Sequence, residues 1–301
     1  MIWQRVTQDN FYELIRFILP HEYLCVNFTS RLLNNKRPEL PPPREAALFI
    51  GKEDPPDSHE AIGSSGTPSR VCAAVLITSK GLLIPVHEEG ITLTADQLLP
   101  LLTQIYRYVR KIYCVIGMEN TVKQYEPHLH QAIDTYRSHY LMLRPKQRPL
   151  APLSIPVKIQ IHHLTEKQIK HIFPLEKAYQ YEEVVVHPER FNSAAYMLHF
   201  RKVVKSQKVL FASLNGVPIS KAGTNAIGIN HTQIGGVFTT PEYRGHGVAR
   251  ALMHRLIEEI QVSDRTAVLF VRTSNSSAIQ LYRRLNFDII GRYQISYTRV
   301  E

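Results

Sequence analysis

Arg244-Gly245-His246-Gly247 is a stretch whose residue types and spacing can do chemistry. Two glycines one residue apart let a backbone curl and approach a ligand closely, where a Cβ would collide. After them Val248, Leu252, Leu256, Ile257 and Ile260 recur at helical spacing, with Arg250, His254, Glu258 and Glu259 on the opposite side. Before them runs the apolar stretch Ile234 to Thr239, which breaks at Thr240-Pro241. A strand therefore feeds a glycine turn that opens a helix. Unpaired backbone N–H groups and the positive end of the helix dipole then face whatever lies over the turn, an arrangement suited to phosphate. The turn is not a Rossmann fingerprint, because the third glycine and the strand-end acid are missing. Nor is it a P-loop, since no Gly-Lys-Ser/Thr follows.

The elements that must position this turn are legible on either side. In the second half, Val157 to Ile161 reads as a strand and Thr165 to Ala178 as a helix that Pro174 can kink. A loop carrying Glu182, Glu183, His187 and Pro188 leads to a helix over Glu189 to Val204. Lys208 to Leu214 and Val217 to Ile227 form a hairpin over Asn215-Gly216, a strong two-residue turn signal. The strand His231 to Thr239, the glycine turn and a helix to Gln261 follow. Strand Ala267 to Arg272, helix Ser276 to Leu285, and separate strands at Ile289-Ile290 and Tyr293 to Thr298 complete the half.

The first half has helices at Phe11 to Leu19, Glu22 to Leu33, Ala95 to Tyr108 and Thr121 to Ile133. Its strands are expected at Ala46 to Ile50, Val71 to Thr78, Leu82 to Ile84, Lys111 to Ile116 and Tyr136 to Leu143. Gly51 to Arg70, rich in Gly, Pro, Ser and Asp, reads as a mobile excursion. Arg144 to Pro156 carries several prolines without periodicity, which sets a boundary between halves. The expected organisation is a domain over 1–145, a linker over 146–156 and a second domain over 157–301. A faint internal repeat links Tyr113 to Asn120 with Val268 to Asn275, each before a helix and a tyrosine-rich strand. Where the second half has Arg-Gly-x-Gly, the first has Glu88-Glu-Gly-Ile-Thr, whose carboxylates repel phosphate.

At 301 residues the chain has room for two ordinary domains, and 44% hydrophobic with 21% charged residues is a globular composition. No apolar run approaches the ~18 residues that span a bilayer, and the N-terminus has no apolar signal core, so a cytoplasmic location is expected. Cys25, Cys72 and Cys114 are far apart and odd in number, as for buried free thiols in a reducing compartment. The net charge of +10 favours polyanionic partners, a phosphorylated cofactor or nucleic acid. The basic residues are dispersed, the densest patch being Arg144 to Arg148, and no zinc-finger or RNP-like pattern is present, which disfavours nucleic acid. The scattered histidines, His162-His163 and His128-x-His130 included, lack ligand spacing, so no metal is expected.

Arg-Gly-x-Gly-x-Ala between a strand and a long amphipathic helix resembles the pyrophosphate-binding motif of the GNAT acyltransferase superfamily. The order of elements over residues 157–300 resembles that family's fold too, and the first half does so in outline. The resemblance implies an α/β fold, a mixed, mostly antiparallel sheet with splayed central strands flanked by helices, in two tandem copies with the first degenerate. It implies that the pantetheine arm of acetyl-CoA, a co-substrate, lies along Val237, Phe238 and Thr239. It implies that the pyrophosphate meets the loop amides of Gly245, His246, Gly247, Val248, Ala249 and Arg250, with Arg244 beside them. Asn275, between a strand and a helix, matches the residue that bonds the pantetheine. Tyr282, seven residues on, matches the general acid near the thioester sulfur. Taken alone, Asn275 is a helix N-cap and Tyr282 a core side chain.

The implied reaction is direct attack of a primary amine on the thioester in a ternary complex. At pH 7 such an amine is protonated, and freeing it costs roughly 4–5 kcal/mol, so a base is needed. The strand before the glycine turn offers His231 and Gln233 where some family members place a glutamate. Glu182 and Glu183 are the candidates, Glu183 preferred, with solvated loop carboxylates as the plain alternative. The acceptor class is a small-molecule or peptide amine. A non-catalytic acyl-CoA-binding regulator or scaffold is the rival reading.

Overall fold

The computed structural model describes residues 1–34, 37–53, 69–150, 152–153 and 158–299. Most of the excursion expected over 51–70, the start of the strand expected at Val157, and part of the 146–156 linker lie outside the described residues. The chain divides into two compact units, each described by itself. One comprises Met1–Leu141, Val271–Ser274 and Ile290–Glu301, and the other Met142–Phe270 and Asn275–Ile289.

The first unit opens with β1 (Ile2–Arg5), α1 (Phe11–Ile18), α2 (Val26–Thr29), β2 (Leu33–Asn34) and β3 (Arg37–Pro38). The single helix expected over Glu22 to Leu33 is instead two 3-10 turns around α2. Thr29 and Ser30 hydroxyls donate to the Val26 and Asn27 carbonyls, local bonds that compete with a longer helix. Next come β4 (Ala46–Glu53), β5 (Arg70–Thr78), β6 (Leu82–His87), α3 (Ala95–Tyr108), β7 (Cys114–Met118) and α4 (Glu119–Tyr125). The helix expected over Thr121 to Ile133 ends early, passing at Tyr125 into a 3-10 turn around Pro127. β8 (Ile133–Arg144) follows.

In this unit β1, β4, β5 and β6 pair antiparallel in that order. β6 meets β7 in parallel over only Leu82↔Cys114 and Leu83↔Val115. A core of Phe49, Val75, Leu98, Leu101, Ile105 and Tyr125 packs α3 and α4 against the sheet.

The second unit contains β9 (Gln160–His163), α5 (Ile169–Tyr179), α6 (Ser193–Ser206), β10 (Val209–Leu214), β11 (Val217–Ile227) and β12 (His231–Thr239). They lead to α7 (Val248–Val262), β13 (Thr266–Arg272), α8 (Ser276–Arg284) and β14 (Asp288–Thr298), the last one unbroken strand where two were expected. β14 begins in this unit, and from Ile290 on it belongs to the first, within which Tyr293 to Tyr297 pair antiparallel with β7. β9, β10, β11 and β12 form an antiparallel run. Asn215 and Gly216 close the β10–β11 hairpin with φ of 50° and 81°, as a tight two-residue turn requires. β12 pairs with β13 in parallel from His231↔Thr266 to Ile234↔Leu269 and no further.

The residues expected as a loop after α5 instead extend it as a π-helical turn, Gln180–Val184, closed by the Val185 N–H on the Gln180 carbonyl at 2.8 Å. Widening the last turn this way re-aims Glu182 and Glu183. Among the described residues no helix is long and apolar enough to cross a membrane.

Candidate active site

The site is built on the point where β12 leaves β13. Past Ile234 the edge of β12 has no paired strand on the β13 side, so Gly235 to Thr239 run beside an opening. Opposite β11 the strand bulges between Gly235 and Phe238, and Gly236 adopts φ +62°. Bulges of this kind re-aim backbone groups beside active sites.

Beyond Thr239 the chain makes a 3-10 turn over Pro241–Tyr243 and enters the glycine loop. Gly245 and Gly247 adopt φ of 79° and 77°, in the left-handed region that other residues avoid. Gly247 is the N-cap of α7 and offers no side chain to cap it. The first amides of α7 precede any intrahelical acceptor, and the helix buries Val248, Leu252, Leu256, Ile257 and Ile260, which fixes its direction. An added Cβ at Gly245 would meet nothing within 4 Å, so the loop borders open space.

The first unit differs at the corresponding place. Thr94 and Gln97 form a capping box at the start of α3, and the Leu93 N–H donates to Gln124 Oε1 at 2.8 Å. There the chain's own side chains take the amides of Leu93, Thr94 and Gln97, whereas the start of α7 has no side-chain cap. His87 at the end of β6 bonds the Tyr125 hydroxyl at 2.8 Å, and a Cβ on Gly117 would stand 3.1 Å from the Pro85 carbonyl, so this unit's parted strands enclose little space.

The charged groups of the second unit converge on the mouth of its cleft. Arg244 Nε donates to the Thr239 carbonyl at 3.0 Å, and its guanidinium lies 5.5 Å from the centre of the Phe238 ring. Both oxygens of Glu182 accept from Arg244 Nη2, at 2.8 and 2.9 Å. Asn275 caps α8 through the Ala278 N–H at 3.0 Å, while its Nδ2 reaches Glu183 Oε1 at 3.4 Å. Tyr282, on the buried side of α8, is 6% exposed. Burial raises its pKa above the ordinary phenol value, and Tyr179 and Glu183 push the same way.

A diphosphate fits what is present. Among the described residues, Thr240 Oγ1 and Arg250 Nε are buried without a hydrogen-bond partner, one at each end of the glycine loop. Together with the uncapped amides of α7 they form a set of donors suited to an anion. Among the described residues no cluster of His, Cys, Asp and Glu could hold a metal. A concavity of about 910 Å³ beside Arg5, Arg31 and Pro41 to Pro43, in the first unit, carries none of these groups.

The sequence profile of the acetyltransferase (GNAT) family matches residues 171–287, the span that holds the parted strands, the glycine loop and Tyr282. This part of the chain belongs to that family. The GNAT domain's family uses acetyl-CoA, and membership implies acyltransferase activity. No curated protein matches the chain in sequence. A Drosophila protein of solved structure is similar in fold, at 12% identity and TM-score 0.64, with 99% of this chain and 98% of that one covered. A tandem GNAT protein from the clavulanic acid biosynthesis pathway aligns at 10% identity and TM-score 0.56 over 100% of this chain and 99% of its own. A GCN5-related N-acetyltransferase from Sphaerobacter thermophilus aligns at 16% identity and TM-score 0.56, covering 98% and 94%. The tandem GNAT fold thus extends over the whole chain.

Sequence reasoning passed over one group beside the GNAT cleft. Glu176, Gln180 and Lys221, all buried, and the half-buried Tyr196 form a polar cluster against Gly236. Their signal was a charge on an apolar face: Glu176 stands beside Leu175 and one turn from Ile172, and Lys221 interrupts a buried strand.

Proposed function

We propose that the second unit transfers an acetyl group from acetyl-CoA to a primary amine by direct attack in a ternary complex, and that the first half is a copy without a cofactor site. The observation that carries this reading is β12 parting from β13 after Ile234↔Leu269 and running on to an uncapped helix N-terminus. Acetyl-CoA supplies the activated acyl carbon. The amides of Gly245 to Arg250, with Arg244, Thr240 Oγ1 and Arg250 Nε, hold the diphosphate. The dipole adds only ~0.3–1 kcal/mol, so the directed N–H bonds supply most of the grip. Val237, Phe238 and Thr239 align the pantetheine, and Asn275 bonds it from the other wall.

The Val237 N–H meets the carbonyl oxygen as negative charge develops there. Glu183 takes the proton that the attacking ammonium must lose, and Tyr282 protonates the departing sulfur. The carbon–nitrogen bond forms as the carbon–sulfur bond breaks. The phenol regains a proton from the new amide nitrogen. Glu182 is paired with Arg244, which leaves Glu183 the better candidate of the two carboxylates.

A thermal-shift series with acetyl-CoA and longer acyl-CoAs, followed by an amine panel read by thiol release, tests the proposal. Stabilisation by acetyl-CoA and amine-dependent thiol release are expected. Tyr282→Phe should lower the rate while leaving CoA affinity in place. Binding without turnover on any amine would make the protein an acyl-CoA-binding regulator instead.

A further inference from the structure

Beneath the bulge of β12 lies a buried ion pair. Lys221 Nζ on β11 is 2.9 Å from Glu176 on α5, and the two side chains are 4% and 3% exposed. Lys221 Nζ also donates to the Gly236 carbonyl at 2.8 Å and stands 4.0 Å from the centre of the Tyr179 ring. The other Glu176 oxygen accepts from the Tyr196 hydroxyl at 2.7 Å and from Gln180 Nε2 at 2.9 Å. Apolar residues of the same volume often serve stability as well as a buried ion pair does. Stability alone therefore does not account for charges here.

The carbonyl that Lys221 holds belongs to the same peptide group as the Val237 N–H. That group is planar and trans, so its N–H points opposite to its oxygen, away from Lys221. The β11–β12 register places Gly223 opposite Gly235 and Lys221 opposite Phe238, so the extra residue of the bulge falls at this peptide. Gly236 has φ +62°, a conformation that favours glycine, and a Cβ there would come 2.9 Å from Lys221 Nζ, so the bare backbone leaves the ammonium room beside the carbonyl. A cation on the oxygen draws charge through the peptide and strengthens N–H donation from its other end.

We propose that Lys221, held by Glu176, is a positioning residue that orients and polarises the Gly236–Val237 peptide so that its N–H meets the carbonyl oxygen of the acyl donor. This rests on the acetyl-CoA reading of the cleft. It extends that reading to two residues outside the glycine loop and α8.

The test uses the full chain with acetyl-CoA carrying carbon-13 at the acetyl carbonyl. Hydrogen bonding to that oxygen moves the carbon resonance downfield and the infrared stretch to lower frequency. In the wild type both should shift on binding. In Lys221→Met, and in Glu176→Gln with Lys221→Met, the shifts should shrink by about half. In both variants kcat should fall roughly tenfold, with the KM for acetyl-CoA within about threefold of wild type. Lys221→Arg should recover part of each. The double variant leaves no lone buried charge and carries the test if Lys221→Met does not fold.

Unchanged carbonyl shifts in the variants would overturn the assignment, as would a rate loss matched by an equal loss of acetyl-CoA affinity. A wild type that binds with a shifted carbonyl, lost in the variants, yet acetylates no amine supports the role of Lys221 while ending the transfer reading. A wild type that binds no acetyl-CoA overturns both.

Discussion

Glu182 places both carboxylate oxygens on one nitrogen of Arg244, Nη2, at 2.8 and 2.9 Å. The pair joins the π-helical turn after α5 to the glycine loop before α7, so the carboxylate occupies the cation that a diphosphate would use. Both side chains are more than 40% exposed, and such a pair contributes about 0–1 kcal/mol to stability. Glu182→Ala should therefore leave the melting temperature almost unchanged and tighten CoA binding by up to about fivefold. Calorimetric titration at low and high salt checks this, and the gain should shrink as salt screens the freed cation.

Gly245 and Gly216 make a matched pair of tests. Their φ angles are 79° and 81°, and an added Cβ at either would meet nothing within 4 Å. Alanine at each should cost about 1 kcal/mol of stability, because the strain lies in the backbone alone. On the proposed reading only Gly245→Ala should weaken CoA binding, by roughly tenfold or more, since its Cβ would project toward the diphosphate. Equal CoA affinities in the two variants would place the cofactor elsewhere.

The parts of the site that sequence made legible are those carried by local rules. Asn215-Gly216 declared its hairpin, and the switch from strand to glycine turn to amphipathic helix declared the β12–α7 junction. The span of α3 was readable from apolar spacing alone. Nonlocal pairing was not readable. Nothing near Asp288 to Thr298 says that the end of β14 pairs with β7. The π-helical turn is closed by an i→i+5 bond from Val185 to Gln180, a pattern that has no sequence signature. In sequence Glu176 and Lys221 are each a single charge among apolar neighbours. Only their meeting across α5 and β11 explains either one.

His87 gives the first unit a pH dependence whose sign is fixed by burial. Burial lowers its pKa from 6.5 to about 4, and its Nε2 is bonded to the Tyr125 hydroxyl. Between pH 6.5 and 4 the unfolded chain binds a proton that the folded chain refuses. Stability therefore rises with pH across that window and falls as acid is added. The contribution lost on reaching the lower end is on the order of 3 kcal/mol. His139, lowered to about 4 chiefly by burial as well, acts in the same direction. Urea unfolding at several pH values should show the decline, and His87→Gln should flatten roughly half of it. A wild-type stability independent of pH over this range would contradict the burial of both rings.

Tyr282 is expected to remain a neutral phenol through the whole working range, because burial, Tyr179 and Glu183 all oppose its ionisation. In the proposed role the phenol must keep its proton until the sulfur leaves, and burial on α8 favours that state. The rate on a given amine should therefore rise with pH as the acceptor loses its proton, then level off. It should show no fall near pH 10, where an ordinary tyrosine ionises. Tyr282→Phe should lower that plateau roughly a hundredfold without moving the rising limb, since the variant changes proton donation and not acceptor ionisation. Glu183→Gln should act differently, slowing the reaction most at low pH, where the acceptor arrives protonated and needs a base. Measuring kcat/KM for the two variants from pH 6 to 10 separates the roles. A rate carried by Tyr282→Phe at the wild-type level would remove the phenol from the reaction and leave it as packing for Phe287, whose ring centre lies 6.1 Å away.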